Sequence, residues 1–175
     1  MQETTILNVI LRNTFTRADF YRRVDFLREV FERQFFDPNA HEHDLARVVR
    51  SFRGDDLAVG LADRDAIVAW GEEVLSSFDR ENMQRRMLEL KRAADALPKF
   101  TLYVPVILSP MHVSSLGAWC RANVQGDVLL DMRVDSSATG GCTFAYGSSL
   151  HDFSLSYFIR KERPALMRLV RAYGE

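Results

Sequence analysis

Cysteine, glycine and proline are all scarce in this chain, at two, nine and five residues of 175. The two cysteines, Cys120 and Cys142, allow at most one disulfide, and they read as reduced, buried, small apolar residues of the kind a cytosolic chain carries. No window approaches the ~20 uninterrupted apolar residues that span a bilayer, which excludes direct membrane insertion through a helix. The N-terminal run Met1 to Arg12 lacks a basic start, and its apolar part is too short for a secretory signal, so the protein is expected to stay where it is made. A net charge of -1 supplies no general pull toward nucleic acid or anionic lipid. Internal repeats and low-complexity segments are absent as well.

What is present is a hydrophobic content of 47%, enough for a core, with arginine concentrated at both ends. One group is Arg17, Arg22, Arg23, Arg28 and Arg33; the other is Arg160, Lys161, Arg163, Arg168 and Arg171. Either end could dock on an acidic partner, and a solvated face is the commoner role of such clusters.

The first half reads as helical throughout. Phe20, Val24, Leu27, Phe31 and Phe35 recur at helical spacing after a cap at Thr16 or Asp19, and Asp37-Pro38-Asn39 stops that helix. Further helices are expected from about His41 to Phe52, Asp63 to Phe78 and Arg80 to Leu97, before Pro98. Amphipathic helices on short loops imply an antiparallel bundle over residues 1–98.

After Pro98 the period changes. Thr101 to Leu108 reads as a strand, Ser114 or Ser115 caps a helix to about Val124, Val128 to Val134 is a second strand, and Cys142 to Tyr146 a third. Asp152 or Ser154 then opens a terminal helix through Leu155, Phe158, Leu166, Leu169 and Tyr173. The expected fold is α+β: a helical domain, then a small αβ domain over residues 99–175 with a three-stranded mixed sheet. Its first two strands are parallel, and the third returns antiparallel to the second.

Each chemical motif has a plainer reading beside it. His41-Glu42-His43-Asp44 holds metal-ligand atoms, but the zincin spacing is histidine at i and i+4, so a helix N-terminus is the better account. Cys142, with His112 or His151, could make a thiol hydrolase or transferase; a strand start offers no helix N-terminus or fixed base to activate the thiol, and packing explains it better. Gly140-Gly141 lacks the lysine and serine or threonine of a phosphate loop and the third glycine of a dinucleotide fingerprint. Asp63, Arg64, Asp65, Glu72, Glu73 and Asp79 read as a solvated polar face. Tyr103, Phe144, Tyr146 and Phe153 could stack nucleobases, yet Asp131, Asp135 and Asp152 interleave with them and would repel phosphate. No catalytic residue, metal or cofactor is expected.

The stretch Val134-Asp135 to Gly140-Gly141, then Gly147, then Asp152 and Ser154, resembles the C-terminal domain of the delta subunit of rotary ATP synthases, the oligomycin-sensitivity-conferring protein of mitochondria. The resemblance covers about Thr101 to Phe158, and the E subunit of vacuolar-type ATPases is similar in this region. Ser136 to Thr139 replaces the family's Pro-Ser and aliphatic pair, and no family motif aligns with the first half, where the family has a six-helix bundle. The resemblance implies a non-catalytic peripheral-stalk subunit in a hetero-oligomer, peripherally attached to the inner, cytoplasmic face of an energy-coupling membrane. Its implied partners are the stalk b-type subunits and the alpha subunits of the head. Asp135 and Asp152 would brace turns, Gly140, Gly141 and Gly147 would permit tight passages, and Ser154 would cap the last helix. Phe158, Leu166 and Leu169, rimmed by Arg168, would grip the stalk. An adaptor subunit of another complex is the remaining alternative.

Overall fold

In a computed structural model of the protein the described residues are 2–36, 45–52, 60–124 and 126–173. The fold is α+β. Among the described residues six helices precede the first strand: α1 Gln2–Leu11, α2 Arg17–Phe36, α3 Leu45–Ser51, α4 Leu61–Val68, α5 Glu72–Leu75 and α6 Met83–Ala96. The Thr16 hydroxyl accepts the Asp19 N–H at 3.0 Å and starts α2, whose Phe20, Val24, Leu27 and Phe31 are buried one turn apart. The helix expected over Asp63 to Phe78 is two helices, broken where Gly71 takes φ +83°, a conformation a side chain resists. That expected from Arg80 begins later, because the Asp79 carboxylate binds the N–H groups of Glu81 and Asn82 in a turn ahead of α6.

The second half runs β1 Lys99–Val104, α7 Pro110–Asn123, β2 Leu129–Val134, β3 Gly141–Tyr146, β4 Ser149–Ser154, α8 Leu155–Lys161 and α9 Arg163–Tyr173. The sheet has four strands rather than three, in the order β2-β1-β3-β4. The stretch missed is β4, whose Ser149, His151, Asp152 and Ser154 give no apolar alternation because it is the sheet's edge. β1 and β2 are parallel, Lys99 opposite Leu129. β3 is antiparallel, but it pairs with β1, not with β2, so β1 lies at the centre of the sheet. The first strand ends at Val104, since Pro105 lacks the N–H to continue a ladder. Ser109, not Ser114 or Ser115, caps α7, ahead of Pro110 at the first turn. The terminal helix is split at Glu162, because Pro164 has no N–H to bond back into α8.

Two cores share β2. Leu129 is fully buried among the helices with Phe20, Phe31 and Met87, while its neighbour Leu130 points to the other face and packs with Phe100, Cys120 and Val128 beneath α7. The segment between α1 and α2 closes the seam: Leu130 N–H donates to the Phe15 carbonyl at 2.9 Å, and Thr16 bridges Leu130 in parallel. Gly117 of α7 is bare where a Cβ would stand 2.6 Å from the Phe15 side chain. One turn on, the Arg121 guanidinium lies 4.7 Å from the Phe15 ring and donates to the carbonyls of Leu11, Thr14 (2.5 Å) and Val128 (3.3 Å). Arg121 thus caps the end of α1 from across the fold.

Candidate functional site

Gly140, Gly141, Asp152 and Ser154 meet at one junction, where the start of β3 lies beside the end of β4 and the start of α8. Gly141 pairs with Ser154 in the ladder and has φ +77°. A Cβ there would stand 2.2 Å from the Phe153 carbonyl oxygen, so both conformation and close approach demand glycine. Gly140 has more room, with Leu155 the nearest side chain at 3.7 Å, and its carbonyl accepts the Leu155 N–H at 2.9 Å. The Ser154 hydroxyl accepts the Tyr157 N–H at 3.2 Å and is the N-cap of α8. Asp152 belongs to β4 and braces that cap: its carboxylate accepts from the Ser154 N–H at 2.9 Å and the Thr143 hydroxyl at 3.2 Å, with Arg160 at 3.8 Å. Ser154, through its hydroxyl and then its N–H, holds the Asp152 carboxyl below the usual range.

Asp135 lies at the same end of the sheet, one strand away from β3. Its N–H donates to the Val104 carbonyl at 2.8 Å, and its carboxylate accepts the Ser137 hydroxyl at 2.6 Å and N–H at 3.0 Å, an Asx turn that also lowers its pKa. Gly147 is at the opposite end, first residue of the two-residue β3–β4 loop with φ +59°. Positive φ at that position alone is the II′ hairpin pattern.

From the junction α8 and α9 project with no buried residue. Leu166, Met167, Leu169, Val170 and Tyr173 form one stripe along α9, with Arg168 and Arg171 on the opposite side, and Phe158 stands exposed on α8. Phe158, Leu166 and Leu169 are each between 41% and 56% exposed, which is unusual for large side chains in so regular a stripe.

The other candidates are dispersed. Cys142 lies opposite Phe153, and His151 opposite Phe144, on whose ring it stacks at 4.7 Å; His112 is at the start of α7, bonded to the Ser109 hydroxyl at 2.8 Å. Cys120 is buried, and that burial raises its thiol pKa. Phe144 is stacked against Phe100 and Phe153, while Tyr103 points to the opposite face of the sheet. His41-Glu42-His43-Asp44 lies outside the described residues, and among the described residues no group of three or more His, Cys, Asp or Glu side chains could hold a metal ion. Asp63 is not on a solvated face. It is buried and binds Arg22 Nε and Arg23 Nε, both at 2.8 Å, contacts from about forty residues away that no local periodicity could reveal. Arg121 carried no sequence signal either.

Among the described residues no helix is long and apolar enough to cross a membrane. No protein-family model matches the chain, and no curated protein matches its sequence.

Proposed function

We propose that the chain is a non-catalytic peripheral-stalk subunit of a rotary ATP synthase, a stator link between the catalytic head and the membrane sector. The observation that carries this reading is the pair α8–α9: a regular apolar stripe backed by Arg168 and Arg171, following the Gly141, Asp152 and Ser154 junction, and covered by none of the described residues. A stator subunit needs such a surface, because torque is resisted by interface area and by apolar anchors within it. The stalk b-type subunits present long helices, for which Leu166 and Leu169 on α9 and the exposed Phe158 on α8 would be the apolar anchors, while Arg168, expected at their rim, lies on the back of α9. Among the described residues the six helices ahead of β1 match the number in the bundle with which the delta family meets the alpha subunits of the head, which supports head binding by the first half.

The test is copurification. A tagged chain expressed with the synthase subunits is expected to bring down the b-type subunit and to comigrate with the complex on a native gel. Leu166→Asp combined with Leu169→Asp should abolish both while leaving the far-ultraviolet dichroism of the isolated chain nearly unchanged, since neither residue is buried. A wild-type chain that neither copurifies nor comigrates would sink the assignment.

A further inference from the structure

The two edges of the sheet differ. At the start of β2 the outer edge is taken up by Phe15 and Thr16, which pair with Leu130. At β4 no element among the described residues is paired to the outer side. In an antiparallel hairpin with a two-residue loop, the pair flanking the loop, Tyr146 and Ser149, exchanges both hydrogen bonds, and bonded pairs then alternate with unbonded ones. Phe144–His151 and Cys142–Phe153 are therefore bonded pairs, and the N–H and C=O groups of Leu150 and Asp152 point outward. The Ser154 N–H also points outward, and the Asp152 carboxylate takes it, so the open ladder ends there. β4 lacks three of the usual defences of an edge: Ser149 to Ser154 contains no proline, no lysine and no bulge in its register, and its one charged side chain, Asp152, is engaged by Ser154 and Thr143.

A groove of about 400 Å³ runs along this edge, between β4 and α8. Leu150, Asp152 and Phe153 line it from the strand, and Tyr157, Phe158 and Lys161 from the helix. Side chains from both faces of β4 contribute, so the groove follows the strand's edge rather than one face of the sheet. An edge strand flanked by a helix is the arrangement with which small recognition domains accept an extended peptide. The charges choose the occupant. Asp152 is already satisfied by Ser154, Thr143 and Arg160, whereas the Lys161 ammonium has no carboxylate partner among the described residues. Arg160 and Lys161 end α8 and Arg163, Arg168 and Arg171 follow on α9, so the terminal helices are cationic, against Glu162 alone. Two copies pairing through β4 would set these cationic flanks against each other; an acidic segment meets them favourably.

We propose that the open edge of β4 and the flank of α8 form a docking groove for an extended segment of a partner protein, which joins the sheet as a fifth strand and sets a carboxylate against Lys161. Main-chain bonds to Leu150 and Asp152 supply the register, and successive side chains of the segment fall on alternate faces of the sheet, one set beside Leu150 and the other beside Phe153. The groove shares Phe158 with the surface assigned to the stalk and is otherwise separate from the α9 stripe.

The test uses the full-length chain and a short fluorescent peptide of alternating valine and serine that ends in a free carboxylate, with its C-terminal amide as a twin. Anisotropy should show the acid binding about tenfold more tightly than the amide, and Lys161→Ala should erase that difference, while amide resonances of Leu150 to Phe153 move on titration. Leu150→Pro removes one outward N–H without touching the β3 ladder, so it should weaken binding about tenfold beyond Leu150→Ala, which removes only the side chain. The proposal is overturned if neither peptide binds, if the shifts fall on α9 alone, or if the proline and alanine variants bind equally. A dimer in sedimentation that Leu150→Pro dissolves would assign the edge to a second copy and overturn it too. No synthase subunit enters these measurements, so their failure and a failure of copurification are separate results.

Discussion

Arg121→Ala tests whether the helices and the sheet form one body. The substitution takes the guanidinium from the carbonyls of Leu11, Thr14 and Val128, of which Leu11 keeps the Thr14 N–H at 3.4 Å, and it empties the space over the Phe15 ring. The seam is half-buried, so each orphaned carbonyl costs about 1 kcal/mol, at the lower end for a buried acceptor. The lost contact with Phe15 adds about 0.5–1 kcal/mol. The sum over the Thr14 and Val128 carbonyls and the Phe15 contact, about 3 kcal/mol, corresponds to a fall in Tm of roughly 10 °C for a chain of this size. Global stability alone would not say where the loss occurs, and hydrogen exchange does. The Leu130 N–H reaches across the seam to Phe15, so its exchange should accelerate about a hundredfold if the seam opens by ~3 kcal/mol, while amides in the β1–β3 ladder keep their protection. Arg121→Lys, which keeps the charge but can reach fewer carbonyls, should fall between. A Tm within about 2 °C of wild type, with Leu130 still protected, would refute the idea that Arg121 pins the two cores together.

Two further perturbations separate local geometry from general fragility. Gly141→Ala forces a side chain into φ +77° and against the Phe153 carbonyl, and should cost about 3 kcal/mol or more, whereas Gly140→Ala, with only Leu155 nearby at 3.7 Å, should cost under about 1 kcal/mol; equal losses in denaturant unfolding would disprove the junction's glycine requirement. Asp63→Asn should cost about 3 kcal/mol near neutral pH, because Arg23 is left buried without its anion. Burial pushes the Asp63 carboxyl up, but the hydrogen bonds from Arg22 and Arg23 outweigh it and the folded value lies below the ordinary 3.8. A lowered folded pKa gives stability that is present above the unfolded value and is lost as pH falls through the folded one. Wild type should therefore lose stability on acidification below about pH 4 more steeply than Asp63→Asn, and parallel pH profiles for the two would contradict the ion pair's role.

The elements that were legible are those whose own residues carry the information. The turn-by-turn recurrence of Phe20, Val24, Leu27 and Phe31 specifies both α2 and its buried face, and the β-branched and aromatic run from Thr101 specifies β1. The helix breaks were legible in principle, at Gly71 and Pro164, but a continuing apolar rhythm on either side conceals them. Ser109-Pro110 likewise carries the stronger start signal for α7, since proline at the first turn fixes the cap one residue before it. What stays hidden is decided elsewhere in the chain. β4 is polar because an edge strand has no second neighbour and little of it is buried, so its strand character comes from pairing with β3. Nothing within Gly141 to Tyr146 states that it lies beside β1 rather than β2; both placements bury one face, and the choice rests on the closure of β2's free side by Phe15 and Thr16. Asp63 and Arg121 are charged residues drawn inward by partners 40 and 110 positions away, beyond the reach of any periodicity. In the candidate site the turn residues were readable from their types, while the open edge beside them was not.

The terminal helices are stabilised differently from the rest. α9 has 11 residues, fewer than the 12–15 at which an isolated helix becomes marginal in water, and its interior contributes nothing to either core. Its first turn carries no acid, and Arg171 in its last turn complements the macrodipole by less than about 1 kcal/mol. Propensity and capping together cannot offset the ordering of so short a segment, so most of its stabilisation has to come from a surface that covers Leu166, Leu169 and Val170. Fully covering such side chains contributes about 1.5–3 kcal/mol each, several times what the helix gains from its own ends. The Ser154 cap and the Asp152 brace fix where α8 leaves the sheet, without supplying the free energy that orders α9.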